Sequence, residues 1–130
     1  MAEELVFYSN PMSRGRIARW ILEEVGAPYR TEWLTFEGSM KAPEYLAVNP
    51  MGKVPAIRHG KTVVTEAAAI CAYMADAFPE KGLAPPARQR GDYYRWMFFA
   101  AGPVEMAVSL KAFGLSVPKE RERSIGSSRR

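Results

Sequence analysis

One cysteine, Cys71, and one histidine, His59, are all that this 130-residue chain offers of the side chains most used to cross-link a fold or hold a metal. A lone cysteine excludes an internal disulfide and any paired-cysteine motif, and a lone histidine leaves no metal-ligand set. Cys71 stands in the apolar run Ala67-Ala-Ala-Ile-Cys-Ala-Tyr-Met74, where it reads as a small buried hydrophobe rather than a nucleophile. His59 stands beside Gly60 of a turn and reads as a surface residue. No run approaches the ~20 apolar residues of a membrane span. The chain opens on Glu3 and Glu4 rather than on a basic stretch ahead of an apolar one, so no secretory leader is read and the cytoplasm is the expected setting.

Positive charge is in excess by four, but unevenly. Residues 119–130 hold five basic against two acidic side chains, so three of the four net charges lie there and the body is nearly neutral. No basic stripe interleaved with aromatics runs through it, and nucleic acid is not an expected partner. The polar stretch 118–130 reads as a disordered basic tail. With 48% hydrophobic and 25% charged residues, the remainder has the composition of one globular domain, or of one domain and a piece of another.

Alternation of apolar runs with turn residues gives the order of elements. Leu5-Val-Phe-Tyr8 is a short buried strand that stops at Ser9-Asn-Pro11, where Asn10 as N-cap and Pro11 at the first position open a helix through Val25. Ile17, Trp20, Ile21 and Val25 form its apolar stripe, and Gly26 with Pro28 ends it. A strand over 29–34, a weaker helix over 41–47, two short strands at 54–58 and 62–64 about a hairpin turn, and a helix over 66–78 stopped by Pro79 follow. Strand, helix, strand, helix, strand, strand, helix is the order of the α/β thioredoxin-like fold. Residues 83–87 read as a linker after this 1–82 domain, and 88–117 as a partial all-α domain: an aromatic-rich helix over 88–101, a kink or break at Gly102-Pro103, and a second helix from Val104.

The segment richest in information is Asn49-Pro-Met-Gly-Lys-Val-Pro-Ala-Ile57. Pro55 inside a strand-like run has no N–H for a sheet ladder, which frees the backbone of Val54 for another partner. A cis Val54-Pro55 bond turns that backbone outward toward a peptide-like ligand. Eleven residues on, Glu66 and Ala67 stand at the start of an apolar helix, where unpaired N–H groups and partial positive charge suit a carboxylate, and the Glu66 side chain suits an ammonium. Lys53 is placed to meet a further anionic group.

The strand-turn-helix Phe7-Tyr-Ser-Asn-Pro-Met-Ser-Arg-Gly-Arg16, the 49–57 segment and the Glu66 helix, in this order and spacing, resemble the N-terminal domain of a bacterial glutathione transferase. The resemblance implies that Val54 pairs its backbone with the cysteinyl unit of glutathione beside the cis Pro55, and that Glu66 and Ala67 meet the γ-glutamyl end. It implies glutathione as co-substrate, a small electrophile as second substrate, a detoxifying transferase and a homodimer. Such proteins usually carry serine at the position of Ala67, so weaker binding is expected here. Their helical domain runs on further, so the chain is expected to be a truncated member with partly exposed aromatics.

That chemistry needs a thiol ionised near neutral pH from an ordinary value of about 8.5. A hydroxyl or amide donor beside a helix N-terminus stabilises the thiolate. Four residues of one turn are candidates, in the order Ser9, Ser13, Asn10 and Tyr8. Ser9 leads by its place at the strand end, and Ser13 is the residue most apt to be spent on a local backbone N–H. The alternative is a glutathione-binding or protein-interaction module without turnover.

Overall fold

The computed structural model describes residues 2–125. The chain divides between Ala84 and Pro85 into two compact units. The first contains β1 (Leu5–Ser9), α1 (Gly15–Val25), β2 (Arg30–Trp33), α2 (Pro43–Leu46), β3 (Ala56–His59), β4 (Thr62–Thr65) and α3 (Ala67–Ala77). The sheet order is β2-β1-β3-β4, with β1 and β2 parallel and the other pairs antiparallel. This is the thioredoxin-like arrangement.

All five residues of β1 are buried because both faces of the strand are covered. Leu5 and Phe7 join Ala18, Leu22 and Val25 of α1 and Ile70 and Met74 of α3 on one face, while Val6 and Tyr8 pack with Leu34, Met40 and Tyr45 on the other. Pro55 precedes β3 rather than lying in it, so the strand begins at Ala56, two residues later than the sequence suggests. The Val54-Pro55 bond is cis.

Helix α1 differs from expectation at its start and in the stripe it buries. Asn10 is not its cap: Asn10 Oδ1 accepts from the Met12 N–H, and the chain turns once more before the helix opens at Gly15. Gly15, Ala18, Leu22 and Val25 are the buried positions, whereas Ile17 is exposed and Trp20 is 70% exposed, its indole donating to Glu24. The small Gly15 and Ala18 let the helix close on β1, which turns the bulkier residues outward. Gly26 caps the helix at φ 71°, its N–H returning to the Leu22 carbonyl as a left-handed residue allows.

In the second unit, α4 (Gly91–Phe99) leads through a π-helical turn (Ala100–Val104) into α5 (Glu105–Ala112). Of the kink or break expected at Gly102-Pro103, the break is absent. The wider turn accommodates a proline that lacks an N–H, and the helix carries on. None of the residues in these three segments is buried, and Trp96, Phe98 and Phe113 are largely exposed. Within the segment expected to be a disordered tail, Lys119–Arg121 form a short 3-10 turn, and residues 126–130 lie outside the described residues.

Candidate functional site

Strand register brings three separate parts of the chain to one end of the sheet. Tyr8 pairs with Ala56, and Ala56 with Thr65. The turn that follows β1, the Val54-Pro55 step that precedes β3 and the Glu66-Ala67 step that follows β4 therefore emerge together. Every candidate read from the sequence lies at this end, but the side chains are not equally available.

Ser9 is 2% exposed, and a methyl group on Gly15 would stand 2.0 Å from its Oγ. Its hydroxyl is thus pressed under the first turn of α1, contrary to the expectation that it faces outward at the strand end. Tyr8 is also buried; its ring packs at 5.5 Å on Tyr45 and its hydroxyl accepts from Arg58 Nε at 3.5 Å, which commits it to the α2 face of the sheet. Asn10 is occupied as well, its Nδ2 donating to the Leu34 carbonyl at 2.7 Å to tie the turn to the end of β2. Ser13 is half-buried at the entrance of α1, where its Oγ donates to the Asn10 carbonyl at 2.7 Å and accepts from the Gly15 N–H at 3.0 Å.

The loop leading to Pro55 is held by side chains to which the sequence reading gave no role. Asn49 is buried; its Oδ1 accepts from the Met51 N–H and its Nδ2 donates to the Lys53 carbonyl at 2.9 Å. Tyr45 donates to that same carbonyl at 2.5 Å, and burial pushes its hydroxyl up to about 12, so it remains a donor at neutral pH. Lys41 lays its ammonium on the Gly52 carbonyl at 2.7 Å, beside the exposed Lys53. The only signal for these supports was the turn-forming Asn49-Pro-Met-Gly52 itself. Among the described residues, the backbone of Val54 takes part in none of the hydrogen bonds that fix the turns and loops.

Helix α3 begins without a side-chain cap, so the N–H groups of its first turn lack intrahelical acceptors. Glu66, exposed just ahead of it, is the one non-glycine residue among those described with a positive φ, at 71° with ψ 123°. A side-chain-bearing residue in that region costs of order 1–3 kcal/mol, and such outliers concentrate at functional sites. Ala67 contributes a backbone N–H and no hydroxyl.

Cys71 is half-buried in α3, and burial pushes its thiol up, which suits packing rather than attack. His59 is not the free surface residue expected. It is half-buried, with Nδ1 2.9 Å from the Tyr73 hydroxyl and its ring stacked 5.8 Å from Phe78. Among the described residues no cluster of His, Cys, Asp and Glu is placed to hold a metal, and no helix is long and apolar enough to cross a membrane.

Comparison with known proteins bears on the same region. The chain is similar to glutathione S-transferase A of the flatfish Pleuronectes platessa, 33% identical over 116 residues that cover 85% of this chain and 51% of that protein. A probable glutathione S-transferase of rice, Oryza sativa subsp. japonica, is 47% identical over 55 residues, covering 42% of this chain and 26% of that one. This chain therefore spans between a quarter and about half of the length of these relatives. Among solved structures, a glutathione transferase homolog from Sulfitobacter with bound glutathione superposes with a TM-score of 0.71 at 27% identity, over 90% of this chain and 59% of that one. The profile described as "Glutathione S-transferase, N-terminal domain" matches residues 12–77, a span that holds Ser13, the Asn49 loop, the Val54-Pro55 step and the start of α3. Since that match takes in just over half of the chain, the protein belongs to the glutathione S-transferase family.

Proposed function

We propose that this chain binds glutathione at the shared end of the sheet and activates its thiol for transfer to a small electrophile. The observation that carries the reading is the uncommitted backbone of Val54 beside Pro55, next by register to an uncapped helix start. An extended peptide finds there an N–H and a C=O to pair with. The first turn of α3 suits a carboxylate, and Glu66, fixed at a positive φ, suits the α-ammonium next to it. Lys53, with Lys41 near it, supplies positive charge for the other carboxylate. Solved neighbours with glutathione bound support the choice of tripeptide.

For activation we assign Ser13 in place of Ser9. Ser13 is half-buried, its Oγ at the N-terminus of α1, whereas Ser9 is only 2% exposed and its Oγ is crowded against Gly15. Donation to a thiolate requires the Ser13 proton to leave the Asn10 carbonyl, while the Gly15 N–H continues to orient the oxygen. In the transfer itself the thiolate sulfur forms a bond to an electrophilic carbon, and a leaving group such as halide departs with the electron pair of the broken bond; the thiol proton goes to solvent. The occupied Ser13 hydroxyl favours one second reading, a module that binds glutathione without turnover. A homodimer and a cytoplasmic setting belong to the proposal, and light scattering coupled to size exclusion tests the dimer.

Calorimetric titration with glutathione on the full chain and on Glu66→Ala tests binding, with an expected loss of tenfold or more in the variant. Equal affinity in both overturns the placement of the γ-glutamyl end. The pKa of the bound thiol, read from thiolate absorbance, is expected to rise toward its free value in Ser13→Ala and to stay in Ser9→Ala. The reverse pattern restores Ser9.

A further inference from the structure

Beside the Ser13 turn the first unit has a hollow of about 290 Å³ lined by Ser9, Asn10, Pro11, Gly15, Arg16, Arg19 and Trp33. Asn10 and Gly15, whose backbone holds the Ser13 hydroxyl, both line it, so the hollow lies alongside the Ser13 turn although Ser13 itself is not part of its wall. Two guanidinium groups one turn apart on α1 stand at its wall. Arg16 is engaged only through Nε on the Pro11 carbonyl at 2.8 Å, and Arg19 interacts with the Tyr29 hydroxyl. Among the described residues neither has a carboxylate within ion-pair distance. This contrasts with Arg30, Arg58 and Arg95, each paired with an acid. Trp33, at the end of β2, lines the same hollow and is 55% exposed.

Unpaired, planar guanidinium groups recognise carboxylate or sulfonate better than ammonium groups do, because several N–H donors in a fixed fork meet its oxygens. An exposed indole beside them offers a flat apolar surface for a ring. We infer that the hollow is the subsite for the second substrate, and that the substrate class is an aromatic electrophile carrying an acidic group, its ring against Trp33 and its anion on Arg16 and Arg19. The inference rests on the glutathione reading above, because only that reading places a reactive sulfur beside Ser13. Glutathione itself carries carboxylates, so the same arginines have two possible anions, and the test separates them.

The probes are 3,5-dinitrobenzoate and its neutral carboxamide, which share ring size and lack a leaving group, titrated into the full chain at low salt with and without glutathione. The expected result is at least tenfold tighter binding of the benzoate. The preference should shrink in moderate salt and disappear in Arg16→Gln/Arg19→Gln, with glutathione affinity unchanged in that variant. Arg19→Gln alone, which leaves the Arg16–Pro11 contact in place, should lose part of the preference and guards against a misfolded double variant. Turnover of 4-chloro-3,5-dinitrobenzoate against its carboxamide, each corrected for its uncatalysed rate with glutathione, should show the same preference in kcat/KM. Equal binding of the two probes, or a preference that survives the double variant, overturns the inference. A double variant that loses glutathione affinity also overturns it, by giving the arginines to glutathione. Failure of glutathione to bind while the benzoate preference stands refutes the transferase reading and, with it, the role of the hollow as a second-substrate site.

Discussion

The close approach of α1 to the end of β1 makes Gly15→Ala the most discriminating substitution in the first unit. Alanine is favoured over glycine within a helix by about 0.5–1 kcal/mol, so on helix propensity alone the change stabilises. The structure reverses the sign. The new methyl would stand 2.0 Å from Ser9 Oγ, 3.2 Å from Ser9 Cβ and 2.9 Å from Ser13 Oγ, where ordinary contact begins at 3.4 Å. Ser9 has little room to retreat, being buried with its carbonyl accepting from the Leu34 N–H at 2.9 Å. Overpacking of this kind costs about 1–3 kcal/mol, which outweighs the propensity gain, and a net loss of about 1–2 kcal/mol is expected. Urea unfolding followed by far-UV circular dichroism measures it. Ser9→Ala removes the 2.0 Å contact but leaves those at 3.2 Å to the Cβ of residue 9 and at 2.9 Å to Ser13 Oγ, so in that background Gly15→Ala should lose less stability, a coupling of about 1 kcal/mol. A Gly15→Ala protein as stable as the parent, or two substitutions that simply add, would refute the packing argument and reopen Ser9 as an outward hydroxyl.

Glu66→Gly should raise stability by up to about 1 kcal/mol, since relief of the positive φ exceeds the chain entropy that glycine adds, while glutathione affinity falls. A variant less stable than the parent in urea would show that Glu66 is not strained. Asn49→Ala leaves the Lys53 carbonyl with Tyr45 alone and the Met51 N–H without its acceptor; a loss of about 1–3 kcal/mol is expected, with weaker glutathione binding as the loop before Val54 loosens. Unchanged calorimetric affinity would separate the loop from the site. Burial holds the Cys71 thiol above its ordinary 9.0, so its proton is bound more tightly folded than unfolded. Its contribution to stability is therefore complete below pH 9.0 and declines as pH rises beyond that, and alkylation by iodoacetamide at pH 8 should be slower than for a free cysteine. A rate equal to the free thiol would refute the burial.

The order of elements was legible because each rests on a local rule: the β-prone run of β1, the glycine after Val25, the proline after Phe78. The buried face of α1 was not. Ile17 and Trp20 outweigh Gly15 and Ala18 on any hydrophobic reading, yet the small residues are buried because their size, rather than their hydrophobicity, lets the helix reach the sheet. The π turn escaped notice for a related reason. Gly102-Pro103 removes a backbone donor, and whether a helix ends there or widens to accommodate the loss is decided by the turns on either side, which composition does not report.

The same distinction explains which half of the candidate site could be read from sequence. In the site as proposed, Val54 and Ala67 serve through backbone groups, and backbone availability follows from a proline in a strand-like run and from a helix start, both of which are visible in the residue order. The choice among Ser9, Asn10, Ser13 and Tyr8 depends on where side chains point, and a shift of one position along a strand end reverses that. Tyr8 and Ser9 are neighbours in β1, yet one is directed to Arg58 and Tyr45 and the other to Gly15. The extra turn made by Asn10 and Pro11 then delays α1 until Gly15, and that delay brings Ser13, three residues past the supposed cap, to the helix entrance. A helix opening at Pro11 would have buried Ser13 in its first turn and left Ser9 at its mouth. The ranking of the two serines therefore turns on a single Asx turn, and Asn10→Ala, which removes the acceptor for the Met12 N–H, is the substitution that should most loosen Ser13 from its place.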